Sequence, residues 1–584
     1  MCGIIGFIDK KDKLTSKEKA VIANKMLGSI EYRGRDSSNL YSDEKIIMGH
    51  NRLAIIDVSD KASQPFVSSD RNLVITYNGE IFNHLELRNL IKDKNYISGS
   101  DTETFLNLYS EYKEKSFQMI RGMFSVVFHD IPNKQVILAN DLYGIKPLYY
   151  WDSPDFFAWA SEIKTFEFLP GFDFVLNHSR LLEYGLFRTT VGPDTLFSNV
   201  KRLMPGEIID FDMRGMSFVS KKYNYLNEQV INNVEECLRL SINEHLLSDV
   251  PVGLQLSGGV DSSLISLLAT QSTRQNKIHS FSIGLDDSNW NEFEYSRFVS
   301  NQIKSIHHEI IFSQKDFCEI FPIATYHLDE PINYPNTIPM MILAREAKKY
   351  VTVLLSGEGA DEVFGGYNRY KKLYKGGLSD EDLVLSNSFV LESDLRNAFI
   401  FNPEANIENR HKIAGQISNY DTCRKLSEYD IRTFLPSLLL RQDKVGMACN
   451  LENRFPFLDP RLVMLGVNLL SQDKFDSNNT KILLKNIALK YFPEKFVNRR
   501  KCGFGLPITE WFKDSTGFGK YLTMFTEPKN KRSYLNYDNI KALINQHLSG
   551  ERDNSEILWI LVSLEVWVRI FIDRENVLDI WKKL

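Results

Sequence analysis

The sequence lacks clustered cysteines. Its six, at positions 2, 237, 318, 423, 449 and 502 of 584 residues, show neither Cys-x-x-Cys nor His/Cys spacing. That excludes a zinc ribbon and leaves no disulfide framework, so a reducing cytoplasm is expected. Long apolar runs are also missing. The most apolar stretch, Ile557 to Ile572, is interrupted by Glu565 and Arg569, falls short of the ~20 residues that span a bilayer and reads as a buried C-terminal helix. No signal-peptide core opens the chain, because Lys10, Lys11, Asp12 and Lys13 arrive before any apolar run. Neither sign of charge dominates, with 70 basic against 75 acidic side chains and a net charge of -5. The basic clusters Asn498–Lys501 and Lys529–Arg532 read as solvated faces, and no nucleic-acid or membrane partner is expected.

What is present is enough chain for two to four domains, at the usual ~100–200 residues each. Through about residue 220, short β-rich runs such as Ile46–Met48, Leu73–Tyr77, Phe124–Phe128, Val136–Ala139 and Phe156–Ala160 alternate with turn residues, and helical patterns fall at 16–30, 84–93 and 102–115. The mixture predicts a sheet-rich α+β domain. Pro205-Gly206 and the stretch 212–222 read as a hairpin and linker. From about 226 apolar strands (Val252–Leu256, Ile278–Ile283, Val351–Leu355) alternate with helices, the pattern of a parallel sheet covered on both faces. Beyond about 370 helical periodicity takes over, and the polar, poorly patterned 376–425 reads as a flexible insertion.

Three segments carry chemistry. Met1-Cys2-Gly3 would expose, once the initiator Met is removed, a thiol and an α-amine on one residue, a nucleophile beside its own base. Ser257-Gly258-Gly259-Val260-Asp261-Ser262-Ser263 follows an apolar strand and opens a helix, so small residues and a helix N-terminus make a phosphate cradle, with Asp261 suited to Mg²⁺. No Lys follows its glycines, which separates it from the Walker loop. A second loop, Ser356-Gly357-Glu358-Gly359-Ala360-Asp361-Glu362, repeats that logic at the C-terminal end of another strand, where open parallel sheets bind ligands.

These loops, with Met1–Gly6, Tyr32-Arg33-Gly34-Arg35-Asp36, Asn51–Asp57, Tyr77–His84, Ser100–Glu103, Leu440–Asp443, Arg454–Asp459 and Arg500–Gly505, resemble the glutamine-hydrolysing asparagine synthetase family in order along the chain. The resemblance implies an N-terminal four-layer αββα domain of the N-terminal nucleophile hydrolase type, a class II glutamine amidotransferase, over 1–215. It implies an ATP-dependent α/β pyrophosphate-loop domain with a helical C-terminal part over 226–584. Cys2 would attack the glutamine amide while Asn78 and Gly79 stabilise the oxyanion. Arg52, Leu53, Ile55, Asn78, Gly79, Glu80 and Asp101 would bind glutamine, its carboxylate on the Arg52 fork and its ammonium between Asp101 and Glu80. In the second domain Gln255 (backbone only), Ser257, Gly258, Gly259, Asp261, Ser262, Ile283, Ser356 and Gly357 would hold ATP. Asp261 and Asp361 would hold Mg²⁺, Glu358 would stabilise an acyl-adenylate, and Lys501 would neutralise the reacting phosphate. An internal passage for ammonia and a homodimer belong to the same implication.

Two departures stand out. Arg35 replaces the proline usual in the RGPD motif, and Ser37-Ser38-Asn39 replaces a run that usually contains Gly, so the loop near Cys2 is expected to close differently. Asp329–Pro335 differs from the best-known asparagine synthetases near the expected acceptor. The acceptor is therefore either L-aspartate, giving L-asparagine, or a uronic acid of a sugar nucleotide in surface-polysaccharide synthesis. A catalytically silent glutamine-binding protein is the reading from another class, and retention of Cys2, Asp261, Asp361 and Lys501 argues against it.

Overall fold

The computed structural model describes the chain except residues 1, 227–230, 274, 276, 288–289, 377 and 500–504. The N-terminal half builds two six-stranded antiparallel sheets. The first runs Lys201–Arg202, Tyr149–Asp152, Phe156–Ala160, Gly3–Asp9, Ile46–Arg52, Ser37–Ser42; the second runs Ser217–Lys222, Glu207–Asp212, Gln135–Asn140, Gly122–Asp130, Leu73–Ile81, Phe66–Val67.

Strand periodicity explains how they stack. Successive side chains of Gly3–Asp9 point to opposite faces. Ile4 and Ile8 share a core with Val74, Val127, Leu138 and Ile209 of the second sheet. Ile5 and Phe7 instead join Ala23, Met26 and Leu27 of helix Ser16–Ser29. On the far side of the second sheet, Ile75, Tyr77, Val126 and Phe128 pack with Phe105, Leu108 and Tyr109 of helix Asp101–Tyr112. Helix, sheet, sheet, helix is the expected αββα layering. The hairpin strand Ser217–Lys222 pairs with Glu207–Asp212 and completes the second sheet, and Tyr223 donates to the Asn140 carbonyl at 2.8 Å. The stretch read as a linker is therefore the last strand of the domain.

The second half carries a five-stranded parallel sheet in the order Ile306–Phe312, His279–Leu285, Val252–Gln255, Val353–Leu355, Glu452–Arg454. Chain order reverses between Val252–Gln255 and Val353–Leu355, so the topological switch point lies where both glycine-rich loops leave the sheet. The edge strand Glu452–Arg454 carries no apolar alternation and was illegible in sequence; its three side chains are polar yet buried, because they serve an interface rather than a core. Segment 376–425, read as a flexible insertion, instead forms helices Asp380–Leu385, Glu392–Ala398 and Glu408–Gln416. Leu383, Val384, Leu395, Ala398 and Ala414 of these helices are buried, and buried Arg410 bonds Glu183 of the N-terminal half at 2.9 Å. The apolar C-terminal stretch is the buried helix Ser555–Phe571. Among the described residues no helix is long and apolar enough to cross a membrane.

The halves meet through charge as well as apolar area. Arg33 donates to Glu162 at 2.9 Å and to Asp443 at 2.8 Å. Lys444 reaches Asp329 at 2.6 Å, and Lys164 reaches the same carboxylate at 2.7 Å. Burial pulls the Arg33 guanidinium down, but Asp443 and Glu162 outweigh it and hold it above its usual range.

Three buried histidines carry a pH consequence. Burial lowers His50 and His245 to about 3 and His327 to about 4. These folded values lie below the unfolded one, so the unfolded chain binds more protons between them, and stability present above about pH 6.5 is lost as pH falls toward 3 to 4. At full slope three such groups supply about 4 kcal/mol per pH unit. The apparent melting temperature is expected to fall steeply between pH 7 and 5, and His245→Gln is expected to shrink that fall; an unchanged fall in the variant removes His245 from the account.

Candidate active sites

The first site forms where the strand Gly3–Asp9 begins. Its nucleophile is anchored from two sides: the Cys2 N–H donates to Asn78 Oδ1 at 2.8 Å, and its carbonyl accepts from Arg33 Nε at 3.1 Å. Burial is the largest influence on the Cys2 thiol and pushes it up, against a backbone hydrogen bond from Leu53 and the charge of Arg52. A thiol held this way stays protonated near neutral pH and needs a base. A pocket of about 30 Å³ opens beside it, lined by Cys2, Arg52, Leu53, Ile55, Gly79, Glu80 and Asp101 among others.

The structure thus brings together all of the glutamine-binding residues expected from sequence, with Asn78 against the Cys2 backbone. Asn78 Nδ2 is buried without a hydrogen-bond partner among the described residues, a donor available to a ligand. Gly79 is dictated by space, since a Cβ there would lie 2.2 Å from the Met123 carbonyl oxygen of the neighbouring strand. Arg52 is steadied by the Ser59 carbonyl at 2.8 Å and by that of Asp57. Asp101, in the first turn of its helix, accepts from Tyr77 Oη at 2.8 Å and the Ile81 N–H at 3.1 Å. Glu80 accepts from Arg454 Nη2 of the other half at 2.9 Å. Burial, then Asp101, raises the Glu80 carboxyl well above its usual range despite Arg454, so an incoming ammonium would relieve the crowding of acids.

Sequence reasoning missed Gln64, which accepts from the Tyr77 N–H at 2.7 Å and donates to Thr102 at 3.1 Å in the pocket wall. Nothing local marks a lone Gln as functional. It also read Arg35 as changing how the loop near Cys2 closes. The side chain instead lines a separate cavity with Ile320, Met341, Arg345 and Lys348, because Arg33 and Arg35 leave the loop in different directions.

The second site lies at the switch point. Gly258 adopts φ +76 and its Cβ would meet Tyr295 Cβ at 2.6 Å, so only glycine fits the turn. Ser257 and Ser262 hydroxyls lie 3.0 Å apart across the loop, and helix Val260–Ser272 starts there. Gly359, at φ +91, makes the matching turn in the second loop. The two loops touch: a Cβ on Gly357 would lie 3.2 Å from Asp261 Cβ. A cavity of about 390 Å³ opens between them, lined by Gln255, Ser257, Gly259, Asp261, Ser262, Ile283, Ser356, Gly357 and Glu358, with Phe281 and Trp290 on its walls. Gly258 shapes the turn but does not line it. Lys501 lies outside the described residues.

Glu358 sits at the rim, where it accepts from Arg441 Nη2 at 2.8 Å and Gln442 Nε2 at 3.1 Å, and Arg441 also donates to Asn336 at 2.7 Å. Asn336 and Trp290 were not among the residues expected here from sequence, for want of any local pattern, and Arg441 lay in the motif Leu440–Asp443 without an assigned role. Asp261 and Asp361 both meet Lys481 Nζ, at 2.5 and 2.6 Å, and Asp261 Oδ1 is buried without a hydrogen-bond partner among the described residues. Two converging carboxylates with a spare oxygen fit a hard divalent cation. The divergent Asp329–Pro335 segment splits: Asp329 is buried in the interface on Lys444 and Lys164, while Tyr334 and Pro335 line a second cavity of about 250 Å³ that shares Asn336 and Gly505 with the first.

These positions separate in a mutational test of glutamine hydrolysis. Gly79→Ala is expected to lower kcat/KM at least tenfold or prevent folding, and Arg35→Gln to leave the glutamine KM within twofold; a large KM change in the latter would put Arg35 back at the pocket.

Residues 1–224 match the glutamine amidotransferase domain model, and residues 233–569 match the asparagine synthase model. Asparagine synthetase [glutamine-hydrolyzing] 1 of Bacillus subtilis (strain 168) is 29% identical over 98% of this chain and 97% of its own length. A putative asparagine synthetase [glutamine-hydrolyzing] of Mycobacterium tuberculosis (strain ATCC 25618 / H37Rv) is 27% identical over 99% and 98%, and synthetase 3 of the same Bacillus strain 26% over 96% and 95%. With one domain built around Cys2 and the other around paired loops at a switch point, the chain belongs to the asparagine synthase family and is a glutamine-hydrolysing, ligase-type amidotransferase.

Proposed function

We propose that the enzyme converts L-aspartate, L-glutamine, ATP and water to L-asparagine, L-glutamate, AMP and diphosphate. The observation that carries the reading is the convergence of Arg52, Gly79, Glu80 and Asp101 on Cys2, together with Glu358, Arg441 and Asn336 at the rim of the phosphate-loop cavity.

In the first site the α-amine of a Met-free Cys2, held on Asn78 Oδ1, takes the thiol proton as Sγ attacks the glutamine amide carbon. The oxyanion falls to Asn78 Nδ2 and the Gly79 N–H, ammonia leaves, and water releases glutamate from the thioester. Because burial raises the thiol, hydrolysis should rise with pH through the neutral range.

In the second site the helix N-terminus after Gly259 and the Ser257 and Ser262 hydroxyls hold the diphosphate end of ATP, and Gln255 and Ile283 flank the nucleotide. Magnesium on Asp261 and Asp361 would neutralise phosphate charge. An aspartate carboxylate oxygen attacks the α-phosphorus, diphosphate leaves, ammonia adds to the acyl carbon, and AMP departs. Arg441, braced by Asn336, fixes Glu358 beside the reacting acyl group, and Lys501 is assigned to the reacting phosphate.

The cavity of about 250 Å³ behind Asn336, lined by Arg188, Tyr334, Leu506 and Trp559, favours a second reading. It leaves room for a larger carboxylate, such as a sugar uronic acid, whose ring would stack on aromatic faces.

One assay separates the acceptors: purified protein, Mg²⁺-ATP and glutamine, with aspartate or a uronic-acid sugar nucleotide, following diphosphate and amide product. Aspartate is expected to drive glutamine-dependent AMP formation, and inertness of aspartate beside turnover of the uronic acid would overturn the first reading. Cys2→Ala is expected to abolish turnover with glutamine and retain it with ammonium salts at pH 8; an intact-mass measurement showing Met1 retained would sink the amine-base mechanism.

A further inference from the structure

The cavity that Arg35 enters shares no lining residue with the glutamine pocket or the phosphate-loop cavity. It measures about 380 Å³ and lies where the loop after Arg33 meets helices Gln314–Leu328, Thr337–Ala347 and Leu435–Ala448. Part of its lining is apolar, from Ile320, Ile323, Met341 and Ile342. The rest carries three cations, Arg35, Arg345 and Lys348, with no acidic side chain among the described residues that line it.

Two of these cations have an ordinary explanation. Arg345 stands in the last turn of helix Thr337–Ala347 and Lys348 at its cap, where positive charge complements the helix dipole. Arg35 has no such excuse. It comes from the other half of the molecule, where the proline usual at this position would bring no charge, and its loop is fixed on both sides. A Cβ on Gly34 would lie 2.4 Å from the Arg52 carbonyl carbon, the Asp36 N–H donates to the Arg52 carbonyl at 2.9 Å, and the Ala54 N–H donates to the Asp36 carboxylate at 2.7 Å.

The cations are close enough to act on shared neighbours. Burial holds the Lys348 ammonium below its usual range, with Asp36 opposing and Arg35 adding to the shift. Burial pushes the Cys449 thiol of the same lining up to about 12, against the charges of Arg345 and Arg35. The acids nearby are engaged elsewhere: Asp36 by Ala54, Asp316 by the Ser313 N–H and hydroxyl at 2.8 and 2.6 Å, and Glu346 by Lys349, with its other oxygen 3.7 Å from Arg345. Lys348 donates only to the Thr352 hydroxyl, at 3.3 Å. Like charges gathered at an apolar hollow repel until an anion lies among them.

The lining selects the anion. A carboxylate offers one charge and two oxygens, whereas a phosphate monoester offers close to two charges and three terminal oxygens, which two guanidinium forks and an ammonium can share. The apolar residues call for a carbon body rather than a bare inorganic ion, and the volume suits a small molecule. We propose that this cavity binds a small phosphate monoester with an apolar body, its phosphate on Arg35, Arg345 and Lys348 and its body against Ile320, Met341 and Ile342. The site stands whichever acceptor the enzyme uses.

The probe is 1-naphthyl phosphate, titrated by calorimetry with excess Mg²⁺ and a non-hydrolysable ATP analogue present to keep it out of the phosphate-loop cavity. Wild type is expected to bind it saturably, and Arg35→Gln/Arg345→Gln to bind it about tenfold or more weakly, as loss of two charged hydrogen-bonding partners requires. Inorganic phosphate and 1-naphthol, each keeping half of the contacts, are also expected to bind about tenfold or more weakly than the ester. No saturable binding by wild type, undiminished binding by the double variant, or 1-naphthoate or inorganic phosphate binding as tightly as the ester overturns the inference. Both arginines are exposed, so the double variant is expected to fold; should it not, Lys348→Gln is held to the same outcomes.

Discussion

One guanidinium holds the two chemistries of this protein in register. Arg33 donates to the Cys2 carbonyl, to Glu162 and to Asp443, so the backbone of the nucleophile is tied directly to a carboxylate of the other domain. All three side chains are fully buried. Ion pairs of this kind gain little net stability over apolar packing, but losing one partner costs about 3–5 kcal/mol because the others are left uncompensated. The network, extended by Lys146, Lys164, Asp329 and Lys444, joins the two domains through charges paired at the interface.

Arg454 makes a second tie. Its guanidinium reaches Glu80 in the glutamine pocket at 2.9 Å and Glu452 at 2.6 Å, and its own carbonyl accepts from the Ser356 N–H of the second glycine-rich loop at 2.9 Å. One residue thus touches a wall of each site. The edge strand Glu452–Arg454 also explains a chemical oddity, since a carboxyl as crowded as Glu80 can sit beside Asp101 only with a fixed cation behind it. Catalytic precision and domain docking rest here on the same buried charges.

Much of this was legible one segment at a time. Cys2, the loop 257–263 and the loop 356–362 announce themselves because nucleophile chemistry and phosphate cradles need particular residues at consecutive positions. Arg52, Gly79, Glu80 and Asp101 were recovered as a set only through resemblance. Lys481 and Gln64 were not recovered, since a lone Lys or Gln carries no local signal, while Arg441 and Arg454 lay inside recognised motifs but were given no role, because what they touch is set only by packing. The helices within 376–425 were hidden for a related reason: they are short and mostly polar, and the apolar residues they bury, such as Leu383, Val384 and Leu395, are too few to show a period.

By itself the sequence determined the fold of each half, through two-residue alternation in the first and apolar strands between helices in the second, and determined that a thiol and two phosphate loops share one chain. Those properties are local, written in periodicity and in glycines that only one backbone turn accepts. Tertiary structure alone decided which charges meet: that Arg35 turns away from Cys2, that Asp329 serves the interface rather than the acceptor, that Glu80 faces Arg454 and that Lys481 stands between Asp261 and Asp361. Coulomb interactions depend on distance in space and desolvation, and neither quantity exists in a sequence until the domains have packed.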